Sequence, residues 1–542
     1  MDPREVLTSV EKKPRLDIGV KRSEEQAVAS TSTATTKQKP ANGEKRSKKA
    51  PKKRKQKRTI PEPYSHDDVL WRDVRDLLGV EVADGIIEEG KEWNSPFQHG
   101  EELEVEVSAI SSTGDGLAVA PFPKPPWVVI VPFTLPGEVA RVKIHQSHRL
   151  HSVSSLLEIK TPNPTLRDDS RVKCRYFGVC GGCQYQQLSY DTQLDLKRNV
   201  IAKAYRNFSG LPESSLPTIG TTVPSPLQYG YRTKITPHFR EPPKKAQKPE
   251  GSAKPDWLKI GFNVNDTSQV LDIEECPIAT PVLNEAYGPI REKIVSDIST
   301  YKRGATLLLR ESLPIIGDGN NGDINPETTI CVTDHKGTVR EKVGDKVFEY
   351  PANSFFQNNN SVLVPLTSYV RDAIFAADGI SDKPRPTHLV DAYCGSGLFA
   401  ISLSDNFEKV VGIELAADSI RSAAHNATLN GCQDKCSFLS GDAANIFSVV
   451  KDPRDYPRDK TVLIIDPPRK GTDENFIGQM MKFGCEVVVY VSCNVHTQAR
   501  DIGMILGKET KDGRKYGVES LRGFDLFPQT AHVESVAILR LQ

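Results

Sequence analysis

The fold is indicated by the stretch Val390-Asp-Ala-Tyr-Cys-Gly-Ser-Gly-Leu398, in which an apolar strand runs into a glycine turn. The turn Gly395-Ser-Gly397-Leu-Phe-Ala400 has the spacing of a nucleotide-binding turn between a strand and a helix. From about residue 345 onward, strand patterns alternate with helix patterns such as 415–430. Strands are expected at 387–391, 409–413, 462–466, 487–491 and 533–540. This alternation predicts an α/β, doubly wound, Rossmann-like domain over residues 345–542.

The acidic residues at the strand ends narrow the choice of cofactor. The glycine turn alone would suit NAD equally well. Asp391 could hold the amino-acid end of S-adenosylmethionine, whereas it would repel a pyrophosphate. Glu414 ends the next strand, where its carboxylate can accept two ribose hydroxyls at once. Asp442 is suited to an adenine edge, and Asp466 ends the fourth strand, so the set favours S-adenosylmethionine over NAD.

A thiol at the end of a strand indicates the chemistry. Cys493 follows the apolar run Val489-Tyr-Val-Ser492. C5 of uracil is a poor nucleophile, and a thiolate that adds to C6 would activate it. A base must then remove the C5 proton, and Glu534 is the candidate, although a structural acid fits that position equally well. Asp466-Pro-Pro resembles an amino-methylating pocket, but Arg469 stands where such enzymes want an aromatic residue.

A cysteine cluster predicts a second type of centre. Cys174, Cys180 and Cys183 lie close together in sequence, and Cys276 supplies a fourth thiol. Four thiolates suit zinc or an iron–sulfur cluster, and the uneven spacing leans toward the cluster. Four unrelated core thiols are the alternative.

The N-terminal segment differs in charge from the rest of the chain. Residues 1–60 hold 18 Lys and Arg against 7 Asp and Glu, so they carry +11, and residues 61–542 carry −10. Without any aromatic residue, this basic tail is predicted to be disordered. Its run 45–58 is a solvated charge run, a nuclear signal or an RNA-contacting arm. We therefore expect the nucleus, the cytoplasm or both, and the sequence contains no apolar run long enough to span a membrane.

Three further regions precede the Rossmann-like domain. Residues 61–98 read as a helical lead-in, and residues 99–163 as a small β-barrel of the oligonucleotide-binding (OB) type. Residues 164–344 form a mixed central domain that carries the cysteines and two polar insertions, 241–256 and 316–327.

These motifs resemble the RNA uracil-C5 methyltransferase family, and most closely its fungal tRNA (uracil-5-)-methyltransferase members. The resemblance rests on the four cysteines, Phe356-Gln357, Asp391–Gly397, Asp466-Pro-Pro-Arg469, Ser492-Cys493-Asn494 and His532-Val-Glu534. It implies a TRAM-like RNA-binding barrel and a [4Fe–4S] cluster on the cysteines. It also implies S-adenosylmethionine contacts from Gln357, Tyr393, Glu414 and Asp466, with Cys493 as nucleophile and Glu534 as base.

The predicted activity is formation of 5-methyluridine in tRNA, with the T-loop uridine implied by the resemblance. Ribosomal RNA is an alternative substrate. Cytosine-C5 methylation is a second alternative, but its enzymes generally present Pro-Cys where this chain has Pro467-Pro468. A non-catalytic RNA-binding or folding protein, or a nuclease, is an alternative of another class. No obligatory protein partner is evident.

Overall fold

The computed structural model describes residues 60–243, 254–315, 328–376, 384–441 and 455–542. The basic tail and Asp442 lie outside these residues. The helices are α1 (His66–Leu78), α2 (Val80–Glu88), α3 (Tyr190–Phe208), α4 (Pro281–Ser296), α5 (Leu363–Ile374), α6 (Leu398–Ser402), α7 (Ala417–Leu429), α8 (Glu474–Phe483) and α9 (Val495–Leu506). No helix within the described ranges is long and apolar enough to cross a bilayer.

The N-terminal part is a helix pair packed on a closed barrel. The Ser65 side chain accepts from the Asp68 N–H at 3.3 Å and so caps α1. Gly79, with φ of 87°, separates α1 from α2. The barrel strands are β1 (Glu102–Ile110), β2 (Gly116–Val119), β3 (Val128–Val131), β4 (Val139–Ser147) and β5 (His151–Thr161). They close in the order β1-β2-β3-β5-β4, and Trp127 is buried in the core that the barrel shares with the helices.

The central part consists of small sheets around α4. Its strands are β7 (Lys234–Ile235), β8 (His238–Phe239), β9 (Gly261–Asn263), β10 (Val270–Asp272), β11 (Ala305–Thr306), β12 (Leu309–Ser312), β13 (Ile330–Val332) and β14 (Thr338–Val343). They form the sheets β10-β9-β8-β11 and β13-β12-β7, and β14 pairs with β15 (Lys346–Pro351). Leu283, Tyr287 and Ile294 of α4 lie in the core between them.

One eight-stranded sheet forms the C-terminal part. Its strands are β6 (Gly220–Val223), β16 (His388–Ala392), β17 (Lys409–Glu414), β18 (Cys436–Ser440), β19 (Thr461–Ile465), β20 (Val487–Ser492), β21 (Tyr516–Phe524) and β22 (Glu534–Leu541). Their order is β18-β17-β16-β19-β20-β22-β21-β6. The first five strands are parallel and β22 is antiparallel to both its neighbours. The strand order reverses direction between β16 and β19, where α/β sheets bind ligands.

Two elements of the predicted central domain complete this C-terminal sheet. Strand β6 pairs in parallel with β21 as the eighth strand. Helix α3 buries Val200, Ile201 and Ala204 in the same core as the sheet. Neither element was assigned to the Rossmann-like domain from the sequence. A four-residue strand and one amphipathic helix carry no sequence signal for the sheet on which they pack, because that pairing is long-range.

Candidate active site

The cofactor half of the site is the glycine turn after β16. Tyr393 and Gly395 have φ of 63° and 53°, and Gly397 has φ of 92°. The positive φ of Gly397 favours glycine, and an added Cβ would also displace the end of the Ile401 side chain, 2.8 Å away. Asp391 Oδ2 accepts the Ala400 N–H at 2.9 Å and ties the strand to the start of α6.

Glu414 closes the turn from the neighbouring strand. Its Oε2 accepts the Gly395 N–H at 3.3 Å, and its Oε1 accepts the Ala416 N–H at 2.9 Å. Two backbone donors on one carboxylate fix the side chain beside the turn. The pairing of β17 with β16 brings this carboxylate, predicted to bind the ribose, to the glycines.

Buried polar atoms at the turn fit a polar ligand. Asp391 is 1% exposed, and burial, with the charges of Asp466 and Glu414 nearby, raises its pKa to about 8. Within the described ranges, Asp391 Oδ1 and Ser396 Oγ are buried without a hydrogen-bond partner. Buried polar atoms are normally satisfied, so these two oxygens favour a ligand that supplies donors.

Of two further predicted cofactor residues, Tyr393 lies in the glycine turn and Gln357 lies in the loop after β15. The Tyr393 ring lies 5.7 Å from that of Phe476, centroid to centroid. Gln357 is buried and follows Phe356, whose ring stacks on Tyr350 at 4.7 Å. Asp442, the predicted adenine contact, is outside the described residues.

The pyrimidine half consists of Cys493, Glu534, Asp466 and Arg469. Strand register brings the first two together. In the antiparallel pair β20–β22, Ser492 is opposite Ser535, so Cys493 and Glu534 are the next residues in register. Opposing residues of antiparallel strands project from the same face. Asp466 follows β19, the other neighbour of β20, at the same edge of the sheet.

The electrostatics agree with this proximity. Burial raises the pKa of the Cys493 thiol to about 12, and the charges of Glu534 and Asp466 add to the shift. Burial, and then Asp466, raise the pKa of Glu534 well above its usual range. Burial also raises the pKa of Asp466 to about 7. A carboxyl tuned upward in this way is suited to proton transfer.

Arg469 supplies the opposing charge. It lowers the pKa of both Cys493 and Glu534. Its carbonyl accepts from Asn494 Nδ2 at 2.9 Å and from Thr497 Oγ1 at 3.1 Å, which ties it to the segment after the thiol. From the sequence, Arg469 stood out as the residue in place of an aromatic side chain and as part of a family motif. The need of a thiolate for a nearby cation was the signal that could have identified its role.

A cleft of about 860 Å³ opens onto the thiol. Its lining includes Cys493, His532 and the exposed side chains of Arg469 and Lys470. It also includes residues of the helical lead-in, the barrel and the cysteine segment: Tyr64, Ser65, His66, Ser112, Thr113, Gly181 and Gln184. The barrel therefore borders the space in front of the nucleophile.

The four cysteines converge, but not as a metal site. Burial and then Cys276 raise the pKa of Cys183, and burial raises the pKa of Cys276 to about 11, with smaller contributions from Cys174 and Cys180. The thiols therefore lie near one another. In the described part of the chain, however, no group of three or more His, Cys, Asp or Glu is placed to hold a metal ion. The predicted cluster is therefore not supported by the arrangement of the described side chains.

Comparison with known proteins identifies the family. A TRAM domain model matches residues 96–154, and a tRNA (Uracil-5-)-methyltransferase model matches residues 327–542. A Schizosaccharomyces pombe protein named tRNA (uracil(54)-C(5))-methyltransferase is 45% identical over 463 residues, or 85% of this chain and 82% of the relative. This chain belongs to the tRNA (uracil-5-)-methyltransferase family. The resemblance inferred from the motifs is thereby confirmed, and the barrel is a TRAM domain.

Two further proteins named as tRNA uracil-54 C5-methyltransferases are also similar to this chain. A Saccharomyces cerevisiae protein of the same name as the S. pombe relative is 39% identical over 549 residues, covering 92% of this chain and 84% of the relative. Pyrococcus abyssi tRNA (uracil-54, C5)-methyltransferase, solved with S-adenosyl-L-homocysteine, has a TM-score of 0.54 at 22% identity and covers 81% of this chain and 100% of its own. At that identity it supports the fold alone. The chain is a methyltransferase by its family.

Proposed function

We propose that this protein transfers a methyl group from S-adenosylmethionine to C5 of uridine 54 in tRNA. The position is supported by the names of its fungal relatives. The observation that carries the chemistry is the register that puts Cys493 opposite Glu534, beside Asp466 and Arg469. A nucleophile and a carboxyl of raised pKa at one strand end are what uracil-C5 methylation needs.

The first requirement is a thiolate on Cys493. In the absence of RNA, the thiol is held protonated by its burial and by two carboxylates. Arg469 opposes them, and Asn494 caps α9 by accepting the His496 N–H at 3.2 Å, so the helix begins two residues after the thiol. A cation and a helix N-terminus both favour a thiolate.

The proposed reaction combines the transfer of a methyl group to C5 with the transfer of a proton from C5 to Glu534. The Cys493 thiolate forms a bond to C6, and the C5–C6 π electrons move toward O4 to give an enolate. S-adenosylmethionine supplies an electrophilic methyl group, which C5 attacks as the methyl–sulfur bond breaks. Ionised Glu534 then takes the C5 proton, the C5–C6 double bond re-forms, and the thiolate leaves C6. The raised pKa of Glu534 makes it a strong enough base for this step.

The RNA would enter through the cleft between the barrel and the catalytic sheet. Uracil C6 is inaccessible in a stacked base, so the nucleotide must turn out of its stack to reach Cys493. Lys470 and Arg469 are exposed at the cleft and are suited to flanking phosphates.

Nucleoside analysis tests the proposal. The protein is incubated with methyl-labelled S-adenosylmethionine and tRNA that lacks C5 methylation, and the digested RNA is resolved into nucleosides. We expect 5-methyluridine, and a tRNA with cytidine at position 54 should take up no label. Label in 5-methylcytidine, or label at another uridine, would contradict the assignment, and ribosomal RNA run in parallel tests the alternative substrate.

Two variants test the assigned roles. Cys493→Ala should abolish transfer and adduct formation, whereas Glu534→Gln should accumulate a covalent protein–RNA adduct that survives denaturing electrophoresis. Cys331→Ala is the matched control, since Cys331 lies in β13, away from the catalytic strands. Normal turnover by either active-site variant would refute its role.

For the four cysteines we propose a metal centre that fixes the central domain and takes no part in methyl transfer. The convergence of the four thiols supports it, and binding would have to deprotonate and rearrange them. Anaerobically purified protein should then contain iron and sulfide, or zinc, that is lost in Cys183→Ser but kept in Cys331→Ser. Metal-free protein of unchanged thermal stability would contradict the proposal.

For localisation we propose the nucleus, the cytoplasm or both, and the basic run 45–58 supports the nucleus. A fluorescent fusion with the basic residues of this run replaced by Gln should lose nuclear signal. Replacing Lys12, Lys13 and Arg15 is the control. Unchanged distribution in the first variant would remove the assignment.

A further inference from the structure

The carboxyl of Glu534 depends on its backbone for its position. Glu534 is 1% exposed, and its Oε1 has no hydrogen-bond partner within the described ranges. It is also the first residue of β22. Its backbone pairs in register with Phe524, the last residue of β21, and residues 525–533 form the loop between these two paired residues, which we call the base loop.

The base loop contains a backbone conformation that needs support. Gln529 has φ of 71°, in the left-handed region that non-glycine residues seldom occupy. Its carbonyl accepts the backbone N–H groups of Gln184 at 2.9 Å and of Tyr185 at 3.0 Å. The Ala531 N–H donates to Gln184 Oε1 at 3.3 Å. A strained turn persists only where its surroundings hold it, and the segment after Cys183 does so here.

A reciprocal pair of amides holds the same residue from α3. Gln193 Nε2 donates to Gln529 Oε1 at 3.1 Å, and Gln193 Oε1 accepts the Gln529 N–H at 3.0 Å. Gln193 is 1% exposed, and its Nε2 also donates to the carbonyls of Tyr185 and Leu188, at 3.2 and 3.3 Å. The buried Gln193 side chain thus binds Gln529 of the base loop and the carbonyls of Tyr185 and Leu188 at the same time.

Further anchors come from the same part of the chain. Lys197 Nζ donates to the Phe527 carbonyl at 2.9 Å and forms a buried ion pair with Asp525. Tyr231 donates its hydroxyl to the Pro528 carbonyl at 3.0 Å. Together with Gln184, Tyr185 and Gln193, these anchors lie before residue 327, outside the catalytic family model.

We propose that Gln193 and Gln529 are positioning residues for the base: their amide pair fixes the base loop and so aims the Glu534 carboxyl at the C5 proton. The inference rests on the proposed function, in which Glu534 acts after Cys493 has added to C6. A displaced base would therefore slow the last proton transfer while leaving adduct formation intact.

The test uses full-length Gln193→Met, which keeps the side-chain volume and removes the amide. We expect kcat to fall roughly 10- to 100-fold, the scale set by a base displaced by about 1 Å, with the KM for tRNA within twofold of wild type. The fraction of enzyme held as a covalent RNA adduct during turnover should rise, as in Glu534→Gln. Gln529→Gly, which keeps the left-handed backbone and its N–H donor to Gln193 but loses the side-chain amide, should show the same pattern to a smaller extent.

RNA carrying 5-fluorouridine at the target separates the steps. The C5 fluorine cannot leave as a cation, so the methylated adduct forms and stays without any need for a base. Gln193→Met should form this adduct at the wild-type rate. Gln187→Met is the matched control, because Gln187 is also buried and its Oε1 has no partner in the described structure. The control should keep wild-type kcat.

Three results would overturn the inference. The first is wild-type turnover by Gln193→Met and Gln529→Gly. The second is loss of turnover without adduct accumulation, and the third is a slowed reaction with 5-fluorouridine RNA, both of which would indicate a general structural defect. If Glu534→Gln itself accumulates no adduct, the proposed function fails and not merely the role of the amide pair.

Discussion

The cofactor half and the pyrimidine half of the site are built by different means. In the cofactor half, Asp391 and Glu414 are held by backbone N–H groups from residues 9, 19 and 2 positions away in sequence. In the pyrimidine half, Cys493 meets Glu534 through strand pairing across about 40 residues, and the base loop is held by residues 297 to 347 positions away. The glycine turn on the methyl-donor side is thus held by local contacts, whereas the acceptor side depends on the whole fold.

This difference separates two kinds of defect. Changes to local contacts of the cofactor half should affect the cofactor alone. Changes to distant packing should affect the acceptor side and leave the cofactor turn intact.

The largest effect is expected where α3 crosses α9. A Cβ on Gly503 would lie 1.9 Å from the Ser209 carbonyl oxygen, so Gly503→Ala must push the helices apart. We expect a loss of about 3 kcal/mol in the free energy of unfolding, by chemical denaturation. Where the variant is still folded, affinity for S-adenosylhomocysteine should stay within twofold while turnover falls.

Gly478→Ala is the control for the helix-crossing variant. Gly478 also lies inside a helix, α8, and an added Cβ there would meet nothing within 4 Å. It should stabilise the protein by about 0.5–1 kcal/mol through helix propensity. Equal effects of the two substitutions would show that the α3–α9 contact does not matter.

Next in size is Glu414→Ala in the cofactor half. It removes a carboxylate that accepts the Gly395 N–H of the turn, the Ala416 N–H and, by family resemblance, two ribose hydroxyls. We expect the KM for S-adenosylmethionine to rise roughly 30- to 100-fold, which two charge-assisted hydrogen bonds justify. The KM for tRNA and the rate of adduct formation with 5-fluorouridine RNA at saturating cofactor should stay unchanged. A parallel rise in the KM for tRNA would break the separation between the halves.

The smallest effect concerns the reactivity of the Cys493 thiol. Because its pKa is raised to about 12, little thiolate is present at pH 7, and alkylation by iodoacetamide should speed up continuously from pH 7 to pH 10. At a fixed pH, Glu534→Gln removes a negative charge, so it should lower the thiol pKa and increase the rate about three- to tenfold. Arg469→Gln should decrease the rate by a similar factor.

Lys470→Gln serves as the control for the alkylation rates. Its side chain is exposed at the same cleft, yet it is not among the groups that shift the pKa of Cys493. Its rate should match wild type, as measured by mass spectrometry of the Cys493 peptide. A rate as low as that of Arg469→Gln would mean that general cleft charge, and not Arg469, controls the thiol.

Much of the catalytic fold could be predicted from the sequence. The strand expected at 409–413 is β17, Lys409–Glu414, and the helix expected at 415–430 is α7, Ala417–Leu429. These elements carry strong periodic patterns and buried apolar runs, which depend on local sequence. The family resemblance rested on short motifs at strand ends and was confirmed by comparison with relatives.

The remaining features depend on contacts that no short pattern encodes. Strand β6 has four residues, and nothing in Gly220–Val223 indicates that it pairs with β21. The roles of Gln193 and Gln529 could not be predicted either, because a buried amide has no sequence signature until its partner is known. The cysteine spacing predicted a metal site, but the described side chains are not arranged to hold one.

The amino-acid sequence by itself determined the elements, the glycine turn and the chemical types at the strand ends, because periodicity and turn preferences act over a few residues. Only the tertiary structure decided that Cys493 faces Glu534 and that α3 holds the base loop. It also decided that the charge of Arg469 lowers the pKa of both Cys493 and Glu534. Strand register and helix packing join residues far apart in the chain, and the burial and charge that tune their pKa values arise only from that assembly.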